Sequence, residues 1–161
     1  MKQHRSINGT SFVISGEDNL PALILIHGLG LSKDMWKEFI PNLLKSYKVI
    51  TFDLFGHGNS DPLNATPDLD LFANQILELL HYLNIAKAHL IGFSIGGMIN
   101  RKFAVNYPSK VLSLIILNSP HKRDTELQKT VEERAKLVFS QGALATLDDA
   151  LKRWFTSEFR L

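Results

Sequence analysis

The sequence predicts a mainly parallel α/β sheet wound on both faces, and three observations lead there. Short apolar runs such as 22–26 and 111–117 alternate with segments of helical spacing, as expected of covered strands joined by crossover helices. Four of these runs pass directly into the loops HGLG (27–30), DLFGHGNS (53–60), GFSIGG (92–97) and NSPHK (118–122). Strand carboxyl ends gather on one edge of a parallel sheet, where ligands bind, so the four loops are expected to converge. The third observation is composition: 161 residues, 45% hydrophobic and 21% charged, suit a soluble globular domain with a real core.

Taken in order, residues 5–7 and 10–14 flank Asn8-Gly9, which reads as a β-hairpin with a two-residue turn. Residues 22–26, continuously apolar, predict a central strand. Trp36, Phe39, Ile40, Leu43 and Leu44 recur at helical spacing. Residues 48–52 return as a strand, and the glycine-rich run from Asp53 to Ser60 must be a loop. Thr66-Pro67-Asp68 opens the next helix with a capping hydroxyl, a proline in the first turn and an acid near the positive end of the dipole. Leu69, Phe72, Ile76, Leu79, Leu80 and Leu83 form its buried stripe. A strand over 88–91, a sharp turn and a helix over 97–107 follow, then a strand over 111–117. Beyond it, 125–139 and 146–155 read as amphipathic helices with no further strand. The expected organisation is a core over 1–120 and a helical cap, or lid, over 121–161.

Several function classes are excluded. Net charge is +2, with the basic residues scattered, so no stripe for nucleic acid forms. No run has the length of a membrane span and the N-terminus lacks a signal-type apolar stretch, so a cytoplasmic address is expected. Zero cysteines remove disulfides, thiolate zinc sites and thiol nucleophiles. The six histidines are not spaced as metal ligands, and neither a metal nor a cofactor is expected.

The chemistry is expected at Gly92-Phe93-Ser94-Ile95-Gly96. A serine on a strand–turn–helix bend is lifted off the sheet with its oxygen exposed and the next backbone N–H close by. The flanking glycines, Gly92 and Gly96, are required because a Cβ there would collide with the neighbouring strand and helix.

HGLG, DLFGHGNS and GFSIGG, in this order, resemble the N-terminal half of an α/β-hydrolase-fold enzyme, a fold with a mainly parallel doubly wound sheet. The resemblance implies that Ser94 is the nucleophile, that the backbone N–H groups of Leu29 and Ile95 form the oxyanion hole, and that no aspartate nucleophile operates. His27, Gly28, Asp53 and His57 belong to the structural motifs. The run from Glu133 to Phe159 is similar to the cap of 3-oxoadipate enol-lactonases, which implies a carboxylated lactone met by Arg134, Arg153 and Trp154. The expected activity is cleavage of a small-molecule carboxylic ester or lactone through an acyl-enzyme. Alternatives are a carbon–carbon bond hydrolase of the same fold and a non-catalytic scaffold that binds a ligand or partner.

The resemblance also implies that the catalytic acid and histidine follow later strands, beyond Leu161, so the chain by itself is expected to be nearly inert. Losing the base of such a triad costs about a million-fold in turnover. His121 and His57, on strand-end loops, are the histidines that could substitute. The plainer readings are an exposed residue leading a helix and a loop-fixing hydrogen bond. Asp53 is read as a turn-forming residue rather than a catalytic carboxylate. The strand over 111–117, apolar on both faces, is expected at an open edge, which predicts self-association unless other polypeptide covers it.

Overall fold

The computed structural model describes residues 3–6, 8–63 and 66–160, of which Met1–Pro120 and His121–Leu161 form two separate units. Ile7 of the expected hairpin lies outside the described residues.

Unit 1 is built on a six-stranded sheet in the order β1-β2-β4-β3-β5-β6. Its strands are β1 (Gln3–Arg5), β2 (Ser11–Ser15), β3 (Ala22–Ile26), β4 (Lys48–Phe52), β5 (Ala88–Phe93) and β6 (Val111–Leu117). β1 and β2 are antiparallel to their neighbours, while β4, β3, β5 and β6 run parallel.

Residue alternation divides the core into two layers. Ile24, Ile26, Ile50 and Phe52 face α2 (Leu69–Tyr82) and α3 (Ile95–Asn106), burying Phe72, Ile76, Leu79, Leu80, Ile99 and Phe103. Leu23, Leu25 and Val49 face the other way, against Trp36 and Ile40. Each such fully buried aliphatic side chain contributes about 1.5–3 kcal/mol. Every residue of β3 is buried, so its continuous apolar run is what a strand covered on both faces demands.

Three local expectations are corrected. The hairpin forms, but its register pairs Arg5 with Ser11 and only Gly9 of the Asn8-Gly9 pair has positive φ, so the connection is longer than two residues. The single helix expected over 36–44 is instead a 3₁₀ turn, Lys33–Trp36, followed by a short α1, Ile40–Leu43, with Pro41 in its first turn. α2 starts at Leu69 and is capped by the Asp68 carboxylate, which accepts from Leu71 N–H at 2.7 Å, not by the Thr66 hydroxyl.

β6 is one of the two edge strands among the described residues, with Leu112, Ile115, Ile116 and Leu117 exposed and no charged residue along it. Asn100 of α3, itself buried, donates to Ile115 O at 3.3 Å and ties the strand to the helix beneath it.

Unit 2 comprises α4 (Thr125–Gln141), capped by Asp124, a 3₁₀ turn (Ala143–Thr146), α5 (Leu147–Trp154) and a further 3₁₀ turn (Glu158–Arg160). Gly142 ends α4 at φ 89°, a conformation that glycine adopts without strain. No helix among the described residues is long and apolar enough to cross a membrane.

Candidate active site

The chain leaves β3 for β4 on one side and β5 for β6 on the other, so the switch in winding direction falls between β3 and β5. A crevice opens at such a point, at the strands' carboxyl ends. Ile26 pairs with Gly92 across it, which places Leu29 and Ile95 each three residues beyond the paired positions.

Ser94 sits at the bend between β5 and α3 with φ 55° and ψ −116°, a combination costly for any residue bearing a Cβ and commonest at functional sites. Its own N–H is spent on Leu117 O at 3.0 Å, and its carbonyl accepts from Gly97 N at 3.0 Å. The half-buried side chain of Ser94 is therefore offered by a bend locked on both sides.

The glycines make the bend possible. A Cβ on Gly92 would overlap the Gly96 carbonyl and come within 2.7 Å of Gly97 N. On Gly96 it would lie 2.5 Å from Ile26 O and 2.8 Å from His27 O. Gly97 is equally constrained, at 2.6 Å from Ser119 Cβ. Gly28 packs against the Phe93 ring, since its Cβ would stand 2.9 Å from Phe93 Cδ1. The HGLG loop and the serine bend are thus in contact through positions where no side chain fits.

Ile95 opens α3, where the first N–H groups lack intrahelical partners and the dipole favours negative charge. Neither its N–H nor that of Leu29 meets an acceptor among the described residues. The Leu29 side chain is 64% exposed.

His27 is fully buried and uses both ring nitrogens. Leu54 N–H donates to Nε2 at 2.9 Å, so the proton is on Nδ1, which donates to Gly28 O at 2.8 Å. Burial pushes its pKa down to about 4, against the opposing pull of the Gly28 hydrogen bond. His27 is accordingly a neutral staple between the loops after β3 and β4. The half-buried His57, its ring 5.2 Å from that of His27, has Nδ1 3.1 Å from Phe55 O.

Asp53 does more than form a turn. Its fully buried carboxylate accepts from Lys33 N–H at 2.8 Å, Lys33 Nζ at 2.6 Å and Asn59 N–H at 3.0 Å. Burial raises its pKa, but the Asn59 and Lys33 hydrogen bonds and the Lys33 charge outweigh this and hold the carboxyl below the usual range. The ligands are all internal, so Asp53 braces the loops after β3 and β4. A Cβ on Gly58 would overlap this carboxylate.

Two residues of this frame escape sequence reasoning. Lys33, only 6% exposed, looks like any solvated lysine in LSKD. Gln75 is buried on α2 and holds the strand-end backbone through Asp53 O at 3.1 Å and Phe55 N at 3.2 Å. Its signal was available: Gln75 follows Phe72 by three residues and so shares the buried stripe.

In unit 2, His121 is exposed, Arg134 lies within α4 with Nε 3.4 Å from Thr130 O, and Arg153 and Trp154 are exposed at the end of α5.

The profile of the alpha/beta hydrolase fold family matches residues 21–153. The chain belongs to that family. It is similar to the (E)-2-((N-methylformamido)methylene)succinate hydrolase of Acinetobacter baylyi, with 35% identity over 83% of this chain and 50% of the relative. It is also similar to 3-oxoadipate enol-lactonase 1 of the same organism, with 32% identity over 92% of this chain and 55% of the relative. Among solved structures, a hydrolase from Pseudomonas aeruginosa superposes with a TM-score of 0.87 at 25% identity, over 99% of this chain and 60% of that one. This α/β-hydrolase-fold chain spans about half the length of the curated relatives it matches.

Proposed function

We propose that the chain carries the nucleophile and oxyanion half of a serine hydrolase that cleaves a carboxylic ester or lactone. Ser94 Oγ attacks the carbonyl carbon, its proton passes to a base, and the alkoxide leaves to give an acyl-serine that water then hydrolyses. The Leu29 and Ile95 N–H groups receive the oxyanion, a contribution of about 3–4 kcal/mol per donor in comparable sites.

The observation that carries this reading is the strained Ser94 bend at the switch point, with two uncommitted amides three residues beyond the paired Ile26 and Gly92. The enol-lactonase and succinate-derivative hydrolase relatives support ester- or amide-type chemistry on a small substrate. Rapid turnover also needs a general base. In unit 1 His27 is engaged on both nitrogens and cannot serve. His57, half-buried in unit 1, and His121, in unit 2, are the residues whose removal tests whether a histidine of this chain substitutes.

The decisive experiment is reaction with a fluorophosphonate followed by peptide mass spectrometry. Modification at Ser94, abolished in Ser94→Ala and unaffected in His121→Ala, is the expected result. An unmodified Ser94 under conditions that label a control serine esterase would leave the fold as a binding scaffold.

A further inference from the structure

Two residues that carry a Cβ hold positive φ on either side of one hydrogen bond. Ser94, at 55°, donates its N–H to Leu117 O at 3.0 Å, and Asn118, at 44°, follows Leu117 directly. The pairing of Phe93 with Leu117 is thereby carried one step past β5, to the residue that presents the hydroxyl. Conformations of this kind persist only where the surroundings over-determine them. On the serine side the tight glycines and α3 do so. On the other side the chain is fixed by what holds Ser119 and Pro120.

Arg101 supplies that hold from α3 itself. It lies one helical turn beyond Gly97, so the two share a face of the helix. Ser119 rests on Gly97, where a Cβ would stand 2.8 Å from Ser119 Oγ and 2.9 Å from Ile116 Cγ2. The half-buried Arg101 then reaches across, its Nη2 donating to Ser119 Oγ at 3.2 Å and to the Pro120 carbonyl. One planar nitrogen thus directs its two N–H bonds at two acceptors in the same segment. The helix that begins at the serine grips, further along, the segment whose carbonyl anchors that serine.

We infer that Arg101 is a positioning residue for the reaction at Ser94: by clamping Ser119 and Pro120 to α3 it fixes the Leu117 carbonyl, and through it the bend that aims the hydroxyl. This rests on the assignment of Ser94 as nucleophile. A displacement of about 1 Å at a reacting atom costs about a hundred-fold in rate, so partial loosening of the clamp is expected to cost about ten-fold.

The test is covalent labelling of the full chain by an alkyl fluorophosphonate over a range of concentrations, which separates the saturating rate from the half-saturating concentration. The Ser94 Oγ–P bond forms, the P–F bond breaks, fluoride departs and the hydroxyl proton passes to solvent. Arg101→Met is expected to lower the saturating rate about ten-fold with the half-saturating concentration unchanged. Arg101→Lys, which restores a cationic donor on a stem of similar reach, should recover part of that loss. Ser119→Ala keeps the Cβ that rests on Gly97 and removes one acceptor, so it should shift the rate in the same direction, and it carries the test if Arg101→Met does not fold. Amide hydrogen exchange reads the clamp without any chemistry: the Ser94 N–H should exchange faster in Arg101→Met, while that of Ile50 in β4 keeps its wild-type rate. A lower unfolding midpoint with the saturating rate and Ser94 exchange both unchanged makes Arg101 a stabilising contact only, and overturns the inference while leaving Ser94 as nucleophile. Absence of labelling in the wild-type chain removes the nucleophile, and the inference with it.

Discussion

His27 links the loops after β3 and β4 as a buried neutral imidazole, and acid should destabilise the fold through that link. Its pKa lies near 4 in the folded chain against 6.5 for a free histidine. The unfolded chain therefore binds the extra proton more readily, and stability falls as pH drops from 6.5 toward 4. The full contribution is present above the unfolded value and the whole loss amounts to about 3 kcal/mol. Between about pH 7 and about pH 5 the expected loss is about 2 kcal/mol, a large fraction of a small domain's stability. The structural cause is specific: a protonated Nε2 would face the Leu54 N–H donor at 2.9 Å in a site closed to water. Urea denaturation followed by circular dichroism across this range measures it. His27→Gln keeps an acceptor for Leu54 without a titrating group, and it should be less stable at neutral pH but lose about 2 kcal/mol less on acidification. A wild-type chain whose stability is flat over the window, or a variant with the same slope, would refute the assignment of His27 as a buried neutral staple.

Other substitutions probe other parts of the frame. Gly96→Ala forces a Cβ to 2.5 Å from Ile26 O, and a loss of about 1–3 kcal/mol in chemical denaturation is expected, with a larger loss if the backbone cannot shift. Ser94→Gly should raise stability by about 1 kcal/mol relative to Ser94→Ala, because only glycine relieves the strained bend; equal midpoints would contradict the strain. Lys33→Met leaves Asp53 buried without its cation, and thermal and urea unfolding should report a loss of about 3–5 kcal/mol. The exposed apolar residues of β6 lead to an expected mass in light scattering that rises with concentration and falls back toward monomer in Ile115→Lys; a constant monomer mass would show the edge to be inert.

Much of this was legible in residue order. β3 follows its apolar run to the residue, because a strand buried on both faces leaves no polar position to blur its limits. The serine bend was legible for a related reason: two glycines at fixed spacing around a serine, after an apolar run, have few other uses. Less visible were features decided between distant segments. Lys33 is buried only because Asp53 arrives from a strand end twenty residues away. The choice of Asp68 over Thr66 as cap turned on which of two suitable side chains reached the Leu71 amide, and composition does not distinguish them. Trp36 to Leu44 kept its helical spacing without keeping one helix, since Pro41 cannot donate a backbone hydrogen bond inside a continuous coil.

The three methyl-free positions around Ser94 separate what can vary from what cannot. The pedestal is fitted to the atom, with carbonyls of β3 and the first turn of α3 filling the space that any larger residue would need. The hydroxyl that stands on it, by contrast, projects from a half-buried position and is not itself packed into that joint. An engineer could therefore exchange the reactive group for a thiol or a carboxylate and keep the mount. Altering the mount would displace whatever group is placed on it.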